Sequence, residues 1–301
     1  MSKKHLKSNA VNIILGSAVI AASDSCDFAI NMNTTDAAAK DDPGAGMWDN
    51  PSATYYDWSV NNESFLVSVS DLRTLIGQAI AENAVTVKAQ IVGDGGSYVR
   101  QGSALITSLV ITSQIDDYVK VTVSFDGASA LTTTTATTIT PASASREKIR
   151  GKALMVAVNT SQTSTPDWHT IACATNHTLE ITNQTGDVRC KDTNDFAPSK
   201  EITGHSVKLT SENLVAMPDN DDTAVFIGDL STMAEQGLSV QLQFGYYPDA
   251  VGAEDEDWGE CSTLIAGGDF LLTNLSVNGN GVKDDATFKA EFSGKGALSL
   301  S

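Results

Sequence analysis

The windows "CDFAINMNTTDAAAKD" (26–41) and "HTLEITNQTGDVRCKD" (177–192) share one layout, 151 residues apart. Ile30 and Ile181, Thr34 and Thr185, Lys40 and Lys191, and Asp41 and Asp192 fall in register, and Phe28 stands where Leu179 does. The register continues on the C-terminal side: "VNNESF" ends at Phe65 and "LTSENL" at Leu214, with Glu63 over Glu212. "DLRTL" from Asp71 meets "DLSTM" from Asp229, and "VTVKAQI" from Val85 meets "LSVQLQF" from Leu238. "ALITSLVIT" from Ala104 answers "FLLTNLSVN" from Phe270, while Phe125, Gly127 and Leu131 answer Phe292, Gly294 and Leu298. Segments that recur in one order must build one architecture twice, so the sequence reads as an internal duplication of a unit of roughly 150 residues, a common domain size.

The unit is mainly β. Period-two alternation runs through "LEIT", "HSVKLTS", "LSVQLQF", "VTVKAQI", "VKVTVSF" and "ATFKAEF", which are rich in β-branched and aromatic residues, as half-buried antiparallel strands require. One helix per half is expected at an Asp. Asp71 is read as the cap of an apolar stripe formed by Leu72, Leu75, Ile76, Ala79 and Ile80, and Asp229 as the cap of a shorter run stopped by Gly237. The expected architecture is two tandem β-sandwich or barrel domains, 1–131 and 151–301, each with one flanking α-helix. Between them "LTTTTATTITPASASREK" is Thr/Ser/Ala-rich, which makes 132–150 an extended linker.

Composition excludes several classes of function. A chain that is 41% hydrophobic and 19% charged can form a core and is not a disordered protein. Its 37 acidic against 19 basic side chains give a formal charge of −18, and such a surface repels nucleic acid, because non-specific affinity comes from cations that neutralise phosphates. The four cysteines, Cys26, Cys173, Cys190 and Cys261, form no CxxC pair. Cys173 and Cys190 align with Ala22 and Ala39 in the first half, which argues against a framework disulfide. "MSKKHLKSNAVNIILGSAVIAAS" has the basic start and apolar stretch of a secretory signal, but Asn12, Gly16 and Ser17 interrupt it. It also aligns with "GKALMVAV" at Gly151, so it is read as a retained first strand. No stretch has the run of apolar residues that a membrane-spanning helix needs.

The search for chemistry finds no catalytic, cofactor-binding or metal-binding residue to assign. His5, His169, His177 and His205 lie in no HExxH, HxH or triad spacing and read as surface or packing residues. "VGDGGSY" lacks the Lys and Ser/Thr of a phosphate loop and reads as a turn. The acidic runs 218–222 and 253–260 lack calcium-loop spacing and read as solvated loops. Paired carboxylates for glycoside chemistry have one candidate, Glu256 and Glu260 beside Trp258, and an enzyme is not the expected class.

The segment from Leu179 to Leu214 resembles the signature region of major tail tube proteins of long-tailed bacteriophages. Asp187, Lys191, Asp192, Gly204 and the strand Val207 to Leu209 fit that pattern, as does the opening "GKALMVAV". The first half fits through Asp36, Lys40, Asp41 and the loop residue Trp48, but it lacks the Gly before the next strand, and the second half lacks the loop Trp. The resemblance implies a structural virion protein of the phage tail, assembled in the host cytoplasm. Its rings would close into a β-barrel and stack into a tube through which DNA leaves the capsid. With two domains per chain, a homotrimer ring would have pseudo-hexamer symmetry. The partners implied are further copies of the chain, other tail proteins, and DNA passing without specific binding; no cofactor and no membrane are implied. The alternative class is a secreted or surface β-sandwich adhesin or fimbrial-type subunit, favoured by the signal-like start and the Thr/Ser-rich linker.

Overall fold

The computed structural model describes residues 11–15, 18–19, 23–36, 51–66, 68–93, 96–136, 148–161, 165–188, 198–216, 224–247, 263–279 and 285–300. His5, Lys40, Asp41, Trp48, Cys190, Lys191, Asp192, Cys261, both acidic runs and the Trp258 cluster lie outside these residues, as does most of the linker.

The first half contains β1 (Val11–Leu15), β2 (Ala18–Val19), β3 (Ser23–Asp36), β4 (Pro51–Phe65), α1 (Val69–Ile80), β5 (Val85–Gly93), β6 (Gly96–Gln114), β7 (Lys120–Gly127) and β8 (Thr132–Thr133). The second contains β9 (Leu154–Asn159), β10 (Trp168–Thr170), β11 (Ala174–Asp187), β12 (Lys200–Leu214), α2 (Ile227–Gln236), β13 (Ser239–Tyr246), β14 (Thr263–Asn278) and β15 (Thr287–Gly294). The protein is mainly β, as expected from the alternation. The apolar core of the signal-like stretch forms β1, paired with β5. Gly93 pairs Gly96 where β5 meets β6, and the centre of the expected Gly-rich turn, 94–95, lies outside the described residues.

Strand pairing in the first half runs β2-β1-β5-β6-β7-β4-β3, and in the second half β10-β9-β13-β14-β15-β12-β11. All these ladders are antiparallel. The irregularities recur as well. One residue is extra on β4 at Thr54, on β12 at Thr203, on β6 at Thr107 and on β14 at Thr273. A bulge interrupts the ladder and leaves backbone groups to be satisfied otherwise, and each threonine does this with its hydroxyl. Thr54 Oγ1 donates to Asn33 O at 2.9 Å and Thr203 Oγ1 to Gln184 O at 3.3 Å. Thr107 Oγ1 donates to Ser124 O at 3.2 Å and Thr273 Oγ1 to Glu291 O at 3.0 Å.

Both helices begin before the aspartates that the sequence marked as caps. Ser68 caps α1, its hydroxyl accepting from the Asp71 N–H at 3.4 Å. In α2 the Asp229 carboxylate reaches back to accept from the Phe226 N–H at 3.0 Å. Each Asp therefore occupies the third helical position, where its charge favours the helix N-terminus and its side chain can serve the cap backbone. Gly237 ends α2 in the left-handed region, φ 61°, as the sequence suggested. Leu72, Leu75, Ile76 and Ala79 are buried on α1, whereas α2 buries Leu230.

The long strands β6 and β14 each serve two layers. The N-terminal part of β6 pairs β5 and its C-terminal part pairs β7, and β14 does the same with β13 and β15. Apolar side chains from both layers and the helices form one cluster spanning both halves. In the first half its centre is Trp58, 1% exposed, whose Nε1–H donates to Ser129 O at 2.8 Å. The indole packs against both Gly102 and Gly127, where an added Cβ would sit at most 2.6 Å from its ring atoms, leaving no space for a side chain at either. In the second half Val207 takes the place of Trp58, and a Cβ on Gly294 would sit 3.1 Å from Val207 Cβ. Gly127→Ala is therefore expected to destabilise by about 1–3 kcal/mol through overpacking and Gly294→Ala by less. Denaturant midpoints of the two variants check the order.

Candidate assembly interface

The halves are joined by a ladder. Residues 108–114 of β6 pair antiparallel with 176–182 of β11, placing Leu109 opposite Ile181 and Ile111 opposite Leu179. All four side chains are at most 1% exposed. Consequently β3-β4-β7-β6 and β11-β12-β15-β14 form one continuous eight-strand layer through a β6–β11 seam. The segment leading into the second half is tied to the same region: Ile149 donates to Leu66 O and accepts from the Val119 N–H, and Tyr118 bridges to Arg150.

Polar side chains fasten the seam at both ends. Asn183 is 5% exposed, and its Nδ2 donates to Ala79 O at 2.8 Å and to Ile106 O at 2.7 Å. Its Oδ1 faces His205 Nδ1 at 2.7 Å, and His205 Nε2 lies 2.6 Å from Glu82 Oε1. This chain of bonds ties the β11–β12 hairpin to the C-terminal end of α1. Lys200 Nζ lies 2.8 Å from Asp126 and 3.7 Å from Asp57. Partial burial disfavours its charge, but the hydrogen bond and attraction of Asp126, then Asp57 and Asp187, outweigh that and hold its pKa above the ordinary lysine value. At the other end, Ser113 Oγ lies 2.5 Å from Gly151 O and 2.9 Å from Leu154 O.

His177 stands between Ser113 and Ser211 across the two ladders, beside a cavity of about 190 Å³ lined also by Leu154 and Met155. Neither ring nitrogen has a hydrogen-bond partner among the described residues, and burial pushes the pKa down to about 4. His169 lies 3.1 Å from Asp167 near the surface. Among the described residues no group of acids, histidines and cysteines could hold a metal ion. A recess of about 550 Å³ beside α2 is lined by Asn159, Asp229, Met233, Gln236 and Asp269.

The eight-strand layer has two unlike faces, because opposite residues on paired strands share a face. The inner face carries Val60, Leu109, Ile111, Val121, Val123, Leu179, Leu209, Phe288 and Phe292, all buried. By register, the outer face carries Ser, Thr and Asn with Asp27, Asp57, Glu63, Asp126, Glu180, Glu212 and Glu291. Each lysine of these strand segments faces a carboxylate: Lys120 faces Asp117 at 3.4 Å, Lys200 faces Asp126, and Lys208 and Lys289 face Glu291 at 2.9 and 2.8 Å. Hydrogen bonds from Lys289, then Lys208, hold the Glu291 carboxyl below its ordinary value. The seam residues Asn183, His205 and Lys200 had no sequence signal, since their partners lie on distant strands and helices. The outer acids were visible as polar positions of alternating strands, without an assigned side.

No family profile matches the chain, and neither does any curated protein. Among solved structures, similarity is found to the tail of an empty gene transfer agent particle determined by helical refinement with C6 symmetry, at 18% identity and a TM-score of 0.36. It is also found to the virion of a native gene transfer agent particle, at 17% identity and the same TM-score of 0.36. Each alignment covers 50% of this chain and 98% of the other.

His177 generates a pH prediction. Its folded pKa of about 4 lies below the ordinary 6.5, so the unfolded chain binds the proton more readily. Stability from this group is complete above pH 6.5 and is lost as pH falls towards 4, by about 3 kcal/mol in all. Denaturation of wild type and His177→Cys, the residue present at the equivalent position 26, should give a flatter pH dependence for the variant across that window.

Proposed function

We propose that the chain is a structural subunit of a phage-type tail, forming the stacked rings of a tube that conducts DNA, and that it is not an enzyme. The observation that carries this reading is the eight-strand layer, in which two blocks with the same strand order and the same bulges are joined edge to edge by the β6–β11 ladder. A wall made of like blocks in one continuous sheet is what a tube requires, since closure removes the unpaired edges that an open sheet exposes. On this reading 1–131 and 151–301 are two copies of one tube unit, 132–150 connects them, and three chains complete a ring with six equivalent positions. The chain then resides in the virion, with further copies of itself and other tail proteins as partners.

The mechanism is passive. The outer face of the layer, with Asp27, Glu63, Glu180 and Glu212 among Ser, Thr and Asn, is assigned to the lumen. Phosphates gain affinity for a surface by displacing counterions with lysine or arginine. A wall whose lysines already face carboxylates offers DNA few such contacts, so the DNA slides.

Negative-stain microscopy of the purified full chain tests the reading: hollow rings or tubes are expected, and a chain that stays monomeric at high concentration by light scattering overturns it. Glu180→Lys with Glu212→Lys should leave rings intact, since surface substitutions cost about 0.5 kcal/mol or less. In assembled particles the pair should slow DNA ejection several-fold, and an unchanged rate would sink the electrostatic part alone.

A further inference from the structure

The seam inside the chain has a second, unfilled equivalent at the ends of the eight-strand layer. β3 pairs β4 on one side and no described strand on the other. On the flank where the β13 ladder ends with Ser239 opposite Leu271, the C-terminal part of β14 from Asn274 to Asn278 is likewise without a described strand partner. These are the counterparts of β11 and of the C-terminal part of β6, the two segments that make the intrachain seam.

The apolar positions match this vacancy in pairing. Ile30 is 48% exposed, while its counterpart Ile181 is 1% exposed against β6. Val277 is 56% exposed, while its counterpart Ile111 is fully buried against β11. Phe28 and Leu275 are half-buried where Leu179 and Leu109 are buried. Helix contacts differ in the same sense. α1 packs on β6 of its own half and on β14 of the other and buries four side chains, whereas α2 packs on β14 and buries one.

We propose that the β14 edge of one copy pairs antiparallel with the β3 edge of a second copy, in the register of the intrachain seam. This inference rests on the tube reading and names its joint. Ala29 faces Ser276, Phe28 faces Val277 and Ile30 faces Leu275 of the neighbouring copy. α2 then meets the first half of that copy as α1 meets the second half within one chain. The joint is head-to-tail, so each copy offers one edge of each kind and addition continues until the ring closes. It differs from the intrachain seam in chemistry. Cys26 and Met32 stand where His177 and Asn183 do, and Pro51 where Lys200 does, so the interchain joint lacks the buried asparagine and the Lys–Asp cluster.

The test uses the full chain with its four native cysteines replaced by Ser. Ala29→Cys with Ser276→Cys places thiols on directly opposed residues, within reach of a disulfide. Mild oxidation should give covalent multimers on a denaturing gel, while Ala29→Cys with Asn278→Cys, two positions out of register, should give few. In the native background, Ile30→Lys and Val277→Lys should each abolish rings and leave a folded monomer by circular dichroism, since both side chains are exposed in the single chain. Rings that persist in both lysine variants, or that form without the 29–276 crosslink, overturn this joint and leave the tube reading standing. A wild-type chain that never assembles overturns both. If a lysine variant fails to fold, the crosslink decides.

Discussion

Seven residues of β6 against seven of β11 determine most of what this molecule is. Without that ladder the chain would be two bodies tethered through 132–150. With it, one hydrophobic cluster and one sheet span both halves. The pairing succeeds because each strand brings the complementary pattern. Leu109 and Ile111 meet Ile181 and Leu179 on the buried face, while Val110 and Thr112 meet Glu180 and Thr178 on the other. A slip of β11 by one residue would turn Leu179 and Ile181 from the core to the other face, so the register is fixed by burial.

The seam also explains why polar groups are buried where they are. Ladder ends leave carbonyls and helix termini without sheet partners, and these must be satisfied inside the protein. Asn183 does so for Ala79 at the end of α1 and for Ile106 beside the β6 bulge. Lys200 crosses to Asp126 and Asp57 on the other half, a pair whose neutral alternative would strand carboxylates in a half-buried site. His177 is the exception: it fills space between two ladders as a neutral ring, and its burial makes the seam sensitive to acid.

Much of the fold was legible in sequence through period-two alternation and repeated order. The strands "VKVTVSF" and "ATFKAEF" became β7 and β15, and the aligned stretches around Ile30 and Ile181 became β3 and β11. Of the expected helix stripe, Leu72, Leu75, Ile76 and Ala79 are buried and Ile80 is half-buried, and the helix starts ahead of Asp71. Ser68 and Asp71 both suit a helix N-terminus, and the backbone alone decides which is the cap. The sequence mark of the bulges is a threonine at each of positions 54, 107, 203 and 273.

Sequence by itself determined the alternation, the recurrence of segments and the acidic excess, because each is a property of residue type and spacing along the chain. Tertiary structure decided that the halves share one sheet, that the acids line the face opposite the core, and that Asn183, His205 and Lys200 fasten the seam. Those facts depend on which strand edge meets which. Edge pairing joins residues as far apart as Ala79 and Asn183 through hydrogen bonds and burial, and no local pattern in the chain encodes that choice.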